Sequence, residues 1–337
     1  MKVFESLRAG WCAISIEGGQ LPGTYERRVL GESGRSVFVC ITIPSRLPSI
    51  CLYAPSNTLR SWRELETRGF RIVLSAATDH NIRNATRVKI ELVNGSMADI
   101  FEQLCEQVVS EFVESTDDAT GSEAAWRRLI HWQRFFETTD QNGLTAEEQT
   151  GLYGELAFIR RAILHKVDAA RLIAAWQGPA KANQDFAFGP VAVEVKTTAA
   201  VNSTKVSISN IKQLDDNGIP LLALTHVSVD RRRGAGETLP QIIEEILEIL
   251  VSFDGLSASR FSDCLLDSGY SNSQADLYEE FGFTLRTVRH FRVNDGFPRI
   301  LEKDLAPGIS GVSYTIELSA ATDFLISDEL IMGSLLE

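Results

Sequence analysis

The sequence predicts mixed α and β structure, α+β overall, arranged as a β-rich N-terminal domain over residues 1–96, a helical connector over 97–142 and an α/β domain over 143–337. Three observations carry that expectation. Up to about residue 95 short apolar runs alternate with Gly, Pro, Ser and Asn, the pattern of a small antiparallel β domain. The next stretch has apolar residues at helical spacing, and from residue 143 helical and strand patterns follow one another. At 337 residues and 44% hydrophobic content, the chain is long enough to bury two cores.

In the first domain the runs "RSVFVCITI", "FRIVLSA" and "ATRVKIELV" read as strands. Two helices follow, "SMADIFEQLCEQVVSEFVES" with Ile100, Leu104, Val108 and Phe112 on one stripe, and "SEAAWRRLIHWQRFFET" with Trp126, Leu129, Ile130 and Phe136, separated by "STDDATGS". "TTDQNG" marks the break before the next domain, because polar turn formers cluster there just ahead of a strong helix start. That helix is "LTAEEQTGLYGELAFIRRAILHK", in which Thr145 and Glu148 make a capping box and Leu152, Leu156, Ile159 and Ile163 make the apolar stripe. Glu155 lies one turn from Leu152 and from Ile159, at the edge of the buried face. Gly151 and Gly154 each cost about 1 kcal/mol inside a helix relative to Ala, which predicts a close approach there.

Beyond it come the hairpin "QDFAFGPVAVEVKTT", the strand "TKVSIS", the short helical turn "NIKQLDDNG" and the apolar run "IPLLALTHVSV", which suits a strand buried on both faces. The order is helix, three strands, helix, strand. "LPQIIEEILEILVSF" is a further amphipathic helix; "SDCLLD" is helix-like, and "TLRTVRHFRV" and "SYTIEL" are strand-like.

Composition narrows the classes of function. The net charge is −12, but residues 1–96 hold 13 Lys+Arg against 8 Asp+Glu, a local +5, while 97–150 hold 3 against 12, a local −9. A locally basic face can bind nucleic acid on an acidic protein, with Arg83, Arg87 and Lys89 as its contacts; a solvated surface explains the same charges. Five dispersed cysteines (Cys12, Cys40, Cys51, Cys105, Cys264) without a C-x-x-C pair argue against a disulfide framework and a zinc knuckle, and fit a reducing cytoplasm. No segment reads as a signal peptide or approaches the ~20 apolar residues of a membrane span. "GESGRS" at 31–36 is rejected as a phosphate loop, since Arg35 stands where Lys is needed and a strand follows. The five histidines lack metal-ligand spacing. "RRRGAG" at 231–236 reads as a solvated turn or a phosphate contact, and Arg286, Arg289 and Arg292 could line a groove.

The hairpin carries the chemistry. If Gly189-Pro190 is a two-residue turn, Phe188 pairs with Val191, Phe186 with Val193, and Asp185 faces Glu194. Lys196 shares the face of Glu194, while Val193 and Val195 point into a core. Carboxylates opposite each other at about 5 Å between Cβ atoms destabilise a ladder unless something positive sits between them, and a divalent cation would do that. The competing reading makes Glu194 and Lys196 the solvated face of an edge strand, pairs Glu155 with Arg160 or Arg161, and leaves Gln213 a surface amide.

"GLYGELAFI", "QDFAFGPVAVEVKTT" and "SISNIKQL" together resemble the PD-(D/E)XK nuclease superfamily, and within it a bacterial family of PD-(D/E)XK motif proteins associated with restriction and defence. The superfamily's Pro before the Asp is missing ahead of Asp185. The resemblance, over about residues 143–230, implies a restriction-endonuclease-like αβββαβ core and metal-dependent cleavage of DNA phosphodiester bonds. It implies that Asp185 and Glu194 ligate Mg²⁺ (or Mn²⁺), with Glu155 and the Val195 carbonyl as further ligands; Lys196 would act on the attacking water or offset phosphoryl charge, and Gln213 would support the site. Implied partners are DNA, methyltransferase or ATPase subunits of a defence system, and a second copy of the chain. The other classes in play are a catalytically silent DNA-binding fold and an assembly subunit.

Overall fold

A computed structural model describes residues 2–17, 21–30, 35–77, 85–139, 142–180, 182–199 and 204–336. The chain divides into two compact units, Met1–Asn142 and Gly143–Glu337, each a mixture of α and β structure. Among the described residues no helix is long and apolar enough to cross a membrane.

The first unit runs α1 (Lys2–Glu17), β1 (Gly23–Leu30), β2 (Ser36–Ile43), β3 (Pro48–Pro55), β4 (Leu65–Glu66), β5 (Phe70–Ala76), β6 (Ala85–Leu92), α2 (Ala98–Glu114) and α3 (Asp118–Thr138). Its strands form one antiparallel sheet in the order β1-β2-β3-β6-β5-β4. Alternation sends Val37, Val39, Ile50 and Leu52 to the helix-covered face and Phe38, Cys40, Cys51 and Tyr53 to the other. α1, absent from the sequence reading, buries Val3, Leu7, Trp11 and Ile14, and Gly10 leaves room for Val29 and Val39. The two helices expected to connect the domains belong to this unit: Trp126 packs 5.5 Å from Trp62, and Phe136 lies 5.6 Å from Phe70. Their stripes are too apolar to stand in water, so they close the sheet. α3 begins earlier than "STDDATGS" suggested, because Asp117 accepts hydrogen bonds from the amides of Ala119 and Thr120 and caps it there. Arg35, from the rejected loop, donates to the carbonyls of Phe112 and Ser115 at the end of α2; residues 31–34 lie outside the described residues.

The second unit runs α4 (Ala146–Leu164), α5 (Ala169–Ala175), β7 (Phe186–Ala187), β8 (Val191–Thr198), β9 (Lys205–Ile208), β10 (Leu221–Arg233), β11 (Glu237–Thr238), α6 (Leu239–Phe253), α7 (Gly255–Asp267), β12 (Phe281–Val293), β13 (Tyr314–Glu317), β14 (Leu325–Ile326) and α8 (Asp328–Leu336). The main sheet is β11-β12-β10-β8-β7, with β8 and β10 parallel and β14 added beside β12. One face buries Val193, Val195 and Val227 against Leu152, Leu156 and Ile159 of α4 and Ile242 and Ile246 of α6. The other buries Ala192, Leu222, Leu224 and Phe291 against Val206, Ile208, Leu214 and Ile316. The third strand of the expected run, β9, therefore leaves the main sheet and pairs with β13 over its second face. The helix expected next is a single 3-10 turn, Ile211–Leu214. β10 is buried from Leu222 to Val227 between a parallel and an antiparallel neighbour, as its continuous apolar run requires.

Candidate active site

The site grows from the turn between β7 and β8. Gly189 takes φ +84°, the Phe188 amide donates to the Val191 carbonyl at 2.8 Å, and the ladder pairs Phe186 with Val193 and Ala187 with Ala192. One step further Asp185 comes beside Glu194, and its Oδ2 accepts the Val195 amide at 2.7 Å. The carbonyl of Asp185 accepts the amides of Gln177 (2.7 Å) and Gly178 (3.0 Å), and Trp176 bridges to Phe186, so the segment after α5 clamps the start of the hairpin.

Glu194 is 1% exposed, and the Lys196 ammonium lies 2.8 Å from its Oε1. Lys196 also donates to Gln213 Oε1 at 3.3 Å, and the same oxygen receives the Ser209 amide (3.1 Å) and hydroxyl (3.3 Å). The 3-10 turn thus fixes the amide that steadies the lysine. From α4, Glu155 reaches the same place: its Oε2 accepts the Trp176 indole N–H at 2.6 Å. A Cβ built on Gly178 would come 2.7 Å from Glu155 Oε2 and 3.0 Å from Asp185 Oδ1, so the two carboxylates converge on the bare backbone of this glycine. Glu155, Asp185, Lys196 and Gln213 are half-buried, which leaves the cluster a side open to solvent. All five predicted side chains meet, with Val195 between Glu194 and Lys196.

Three carboxyls share one ammonium. Burial, with Asp185 next, pushes Glu155 well above the usual carboxylate range, and the Trp176 hydrogen bond only partly opposes it. Burial also raises Asp185 against the pull of the Val195 amide and Lys196. Glu194 is pushed up to about 8 by burial and then by Asp185, with Lys196 opposing. Neither Glu194 oxygen has a hydrogen bond of normal geometry, so the ion pair is its main compensation. Buried carboxylate oxygens short of donors are the ligand set that hard divalent cations take.

The competing readings of these residues fail on geometry. Glu194 is buried beside β10, so it stands on no solvated face. Arg160 pairs with Glu237 and Glu245 and Arg161 with Asp328, leaving Glu155 to Trp176. Elsewhere several of the expected cations have partners: Arg87 pairs with Glu26, Lys89 with Glu91, Arg232 and Arg286 with Asp230 and Arg233 with Glu280, while Arg231 lies over the Phe281 ring and Arg289 meets His226. Arg83 and His80 lie outside the described residues. His226, pushed down to about 4 by burial, hydrogen-bonds Thr198, and His290 joins Thr225 to Asp328. Both are structural.

Sequence reasoning missed Trp176, Gly178 and Ser209. "WQGP" at 176–179 was the available signal, since a Gly-Pro turn directly after a buried aromatic marks a loop held in place. The expected close approach holds at Gly154, where a Cβ would meet Thr197 Oγ1 at 1.8 Å, and not at Gly151, which has nothing within 4 Å.

No curated protein and no solved structure matches the chain. A family profile described as "Putative PD-(D/E)XK family member, (DUF4420)" matches residues 7–319, which takes in both units. The acidic residue on the helix, the Asp before the turn and the Glu-x-Lys of the following strand stand together in space, the family's profile covers nearly the whole sequence, and the chain belongs to this PD-(D/E)XK family.

Proposed function

We propose that this protein is a metal-dependent endonuclease that hydrolyses DNA phosphodiester bonds in the cytoplasm as part of a restriction or phage-defence system. The observation that carries the reading is the juxtaposition of Asp185 with Glu194 and Lys196 of β8, just past its pairing with β7, with Glu194 buried and the Lys196 ammonium its main compensation. α4, β7, β8, the 3-10 turn and β10 then correspond to a restriction-endonuclease-like core in which β9 has turned onto the second face.

The donor set fits Mg²⁺ or Mn²⁺: Asp185 and Glu194 would hold the ion, with Glu155 and the Val195 carbonyl as further ligands. Such an ion would polarise the phosphoryl oxygens and lower the pKa of bound water. The chain's own residues do the rest. Trp176 holds Glu155 in its rotamer through the indole N–H. Gln213, fixed by Ser209, holds the Lys196 ammonium at the face of Glu194, where it can orient the attacking water and offset charge developing on the phosphate. Gly178 keeps a side chain out of the gap between Glu155 and Asp185. Substrate DNA, methyltransferase or ATPase subunits and a second copy of the chain are the partners this reading calls for.

The test is cleavage of modified and unmodified DNA in Mg²⁺ and in Mn²⁺, with the defence-associated subunits supplied. Cleavage should vanish in Lys196→Ala while DNA binding persists, and vanish together with metal binding in Glu194→Ala. Equal cleavage by wild type and both variants overturns the assignment.

A further inference from the structure

We propose that Glu26, Cys40 and Cys51 form a binding site for a thiophilic divalent cation of the zinc class on the face of the first unit's sheet opposite its helices. The strand register builds it. Glu26 on β1 stands directly opposite Cys40 on β2, and Cys51 on β3 stands opposite Phe38, diagonal to Cys40. The two sulfurs lie 3.1 Å apart, Cys51 Sγ is 3.9 Å from Glu26 Oε1, and the three ligand atoms are all within 4.8 Å of one another. Among the described residues no other trio of His, Cys, Asp and Glu comes so close.

Tetrahedral zinc, with Zn–S about 2.3 Å and Zn–O about 2.0 Å, spaces its donors roughly 3.5–3.8 Å apart. The sulfurs must part by well under ~1 Å to admit it, a side-chain adjustment. Two sulfurs with one carboxylate select this class of cation over Mg²⁺ and Ca²⁺, which prefer oxygen alone.

Charge supports the assignment. Two thiolates and a carboxylate around a dication leave −1, and the Arg87 guanidinium, paired with Glu26, supplies the compensating +1. Before binding, the thiols are neutral and Arg87 balances Glu26 alone, so the site is neutral in both states. Binding releases two protons to solvent as two S–M bonds form. Tyr53 donates to Glu26 Oε2 at 3.3 Å, the outer hydrogen bond that orients a ligating carboxylate. Both cysteines are fully buried, and Glu26 at the exposed edge gives access. Three protein ligands leave the fourth position to water.

Reduced, metal-free full-length protein titrated with Co²⁺ reports the site directly, because the thiolate-to-cobalt charge-transfer band arises only from sulfur ligation and the d–d bands report tetrahedral geometry. The bands should saturate at one Co²⁺ per chain, be displaced by Zn²⁺, disappear in Cys51→Ser, and need at least about tenfold more Co²⁺ in Glu26→Gln. They should survive unchanged in Cys12→Ser and in Glu194→Gln, which separates this site from the carboxylate cluster. Glu26 is partly exposed, so Glu26→Gln keeps its fold and decides the matter if Cys51→Ser does not. Absence of thiolate bands in the reduced wild type overturns the proposal, as do bands unchanged in both Cys51→Ser and Glu26→Gln, or bands lost in Glu194→Gln.

Discussion

Replacing Glu194 with Gln should flatten the pH dependence of stability in the metal-free protein. The carboxyl is 1% exposed and is pushed up to about 8, against about 4.5 in an unfolded chain. A carboxyl that holds its proton more tightly when folded makes folding take up a proton, so stability falls as pH rises from about 4.5 to about 8 and is constant outside that window. Each pH unit inside it costs about 1.4 kcal/mol, so moving from about pH 5.5 to about 7.5 should cost the wild type about 3 kcal/mol from this group alone. For a unit of this size that is a fall in Tm of roughly 5–10 °C. Glu155 and Asp185 are raised too and add a decline of the same sign, which the variant retains. Thermal melts in EDTA at the two pH values, on wild type and Glu194→Gln, read the difference between the slopes. Addition of Ca²⁺ should recover about half of that loss at the higher pH, because the cation binds the ionised folded site; about 10 mM against a Kd of order 1 mM gives about 1.4 kcal/mol. Parallel pH profiles for wild type and variant would refute the reasoning, since Glu194 would then be unburdened by its burial.

Asp185→Asn should raise the metal-free Tm and abolish the response to Ca²⁺, because the asparagine's amide oxygen can take the place of Asp185 Oδ2 as acceptor of the Val195 amide while one of the opposed charges is gone; a lower Tm with the response intact makes Asp185 a structural residue. Gly151→Ala should stabilise by up to about 1 kcal/mol, as helix propensity dictates, whereas Gly154→Ala should destabilise by about 1–3 kcal/mol because its Cβ meets Thr197 Oγ1. Equal effects in denaturant melts would deny the close packing of α4 on β8. Gly178→Ala should weaken Ca²⁺ stabilisation at least tenfold in concentration, about the cost of disturbing a ligating carboxylate, since its Cβ enters between Glu155 and Asp185; an unchanged titration would place the ion away from that gap.

What the sequence disclosed depended on the range of the interaction. The β7–β8 register was legible because a Gly-Pro turn with positive φ at Gly189 sets it locally, and alternation then carries Glu194 and Lys196 to one face. Glu155 was legible through helical spacing. Trp176 and Gly178 were not, because they reach the cluster from a loop whose path is fixed by contacts distant in sequence, among them hydrogen bonds to the Asp185 carbonyl and to Glu155. The departure of β9 was hidden for a different reason: period-two alternation identifies a strand without saying which sheet it joins. α1 carried Val3, Leu7, Trp11 and Ile14 at helical spacing, a pattern overlooked beside the neighbouring strands. The local +5 of the first domain was read correctly as a count, yet a count cannot reveal that Arg87 and Lys89 already face Glu26 and Glu91.

Mn²⁺ binding followed by electron paramagnetic resonance tests the central claim most directly, because it needs neither DNA nor a partner subunit. Wild type should bind Mn²⁺ in competition with Mg²⁺, Lys196→Ala should bind it as well or better, and Glu194→Gln and Asp185→Asn should lose it. Mn²⁺ binding that is unchanged in both carboxylate variants would contradict the account.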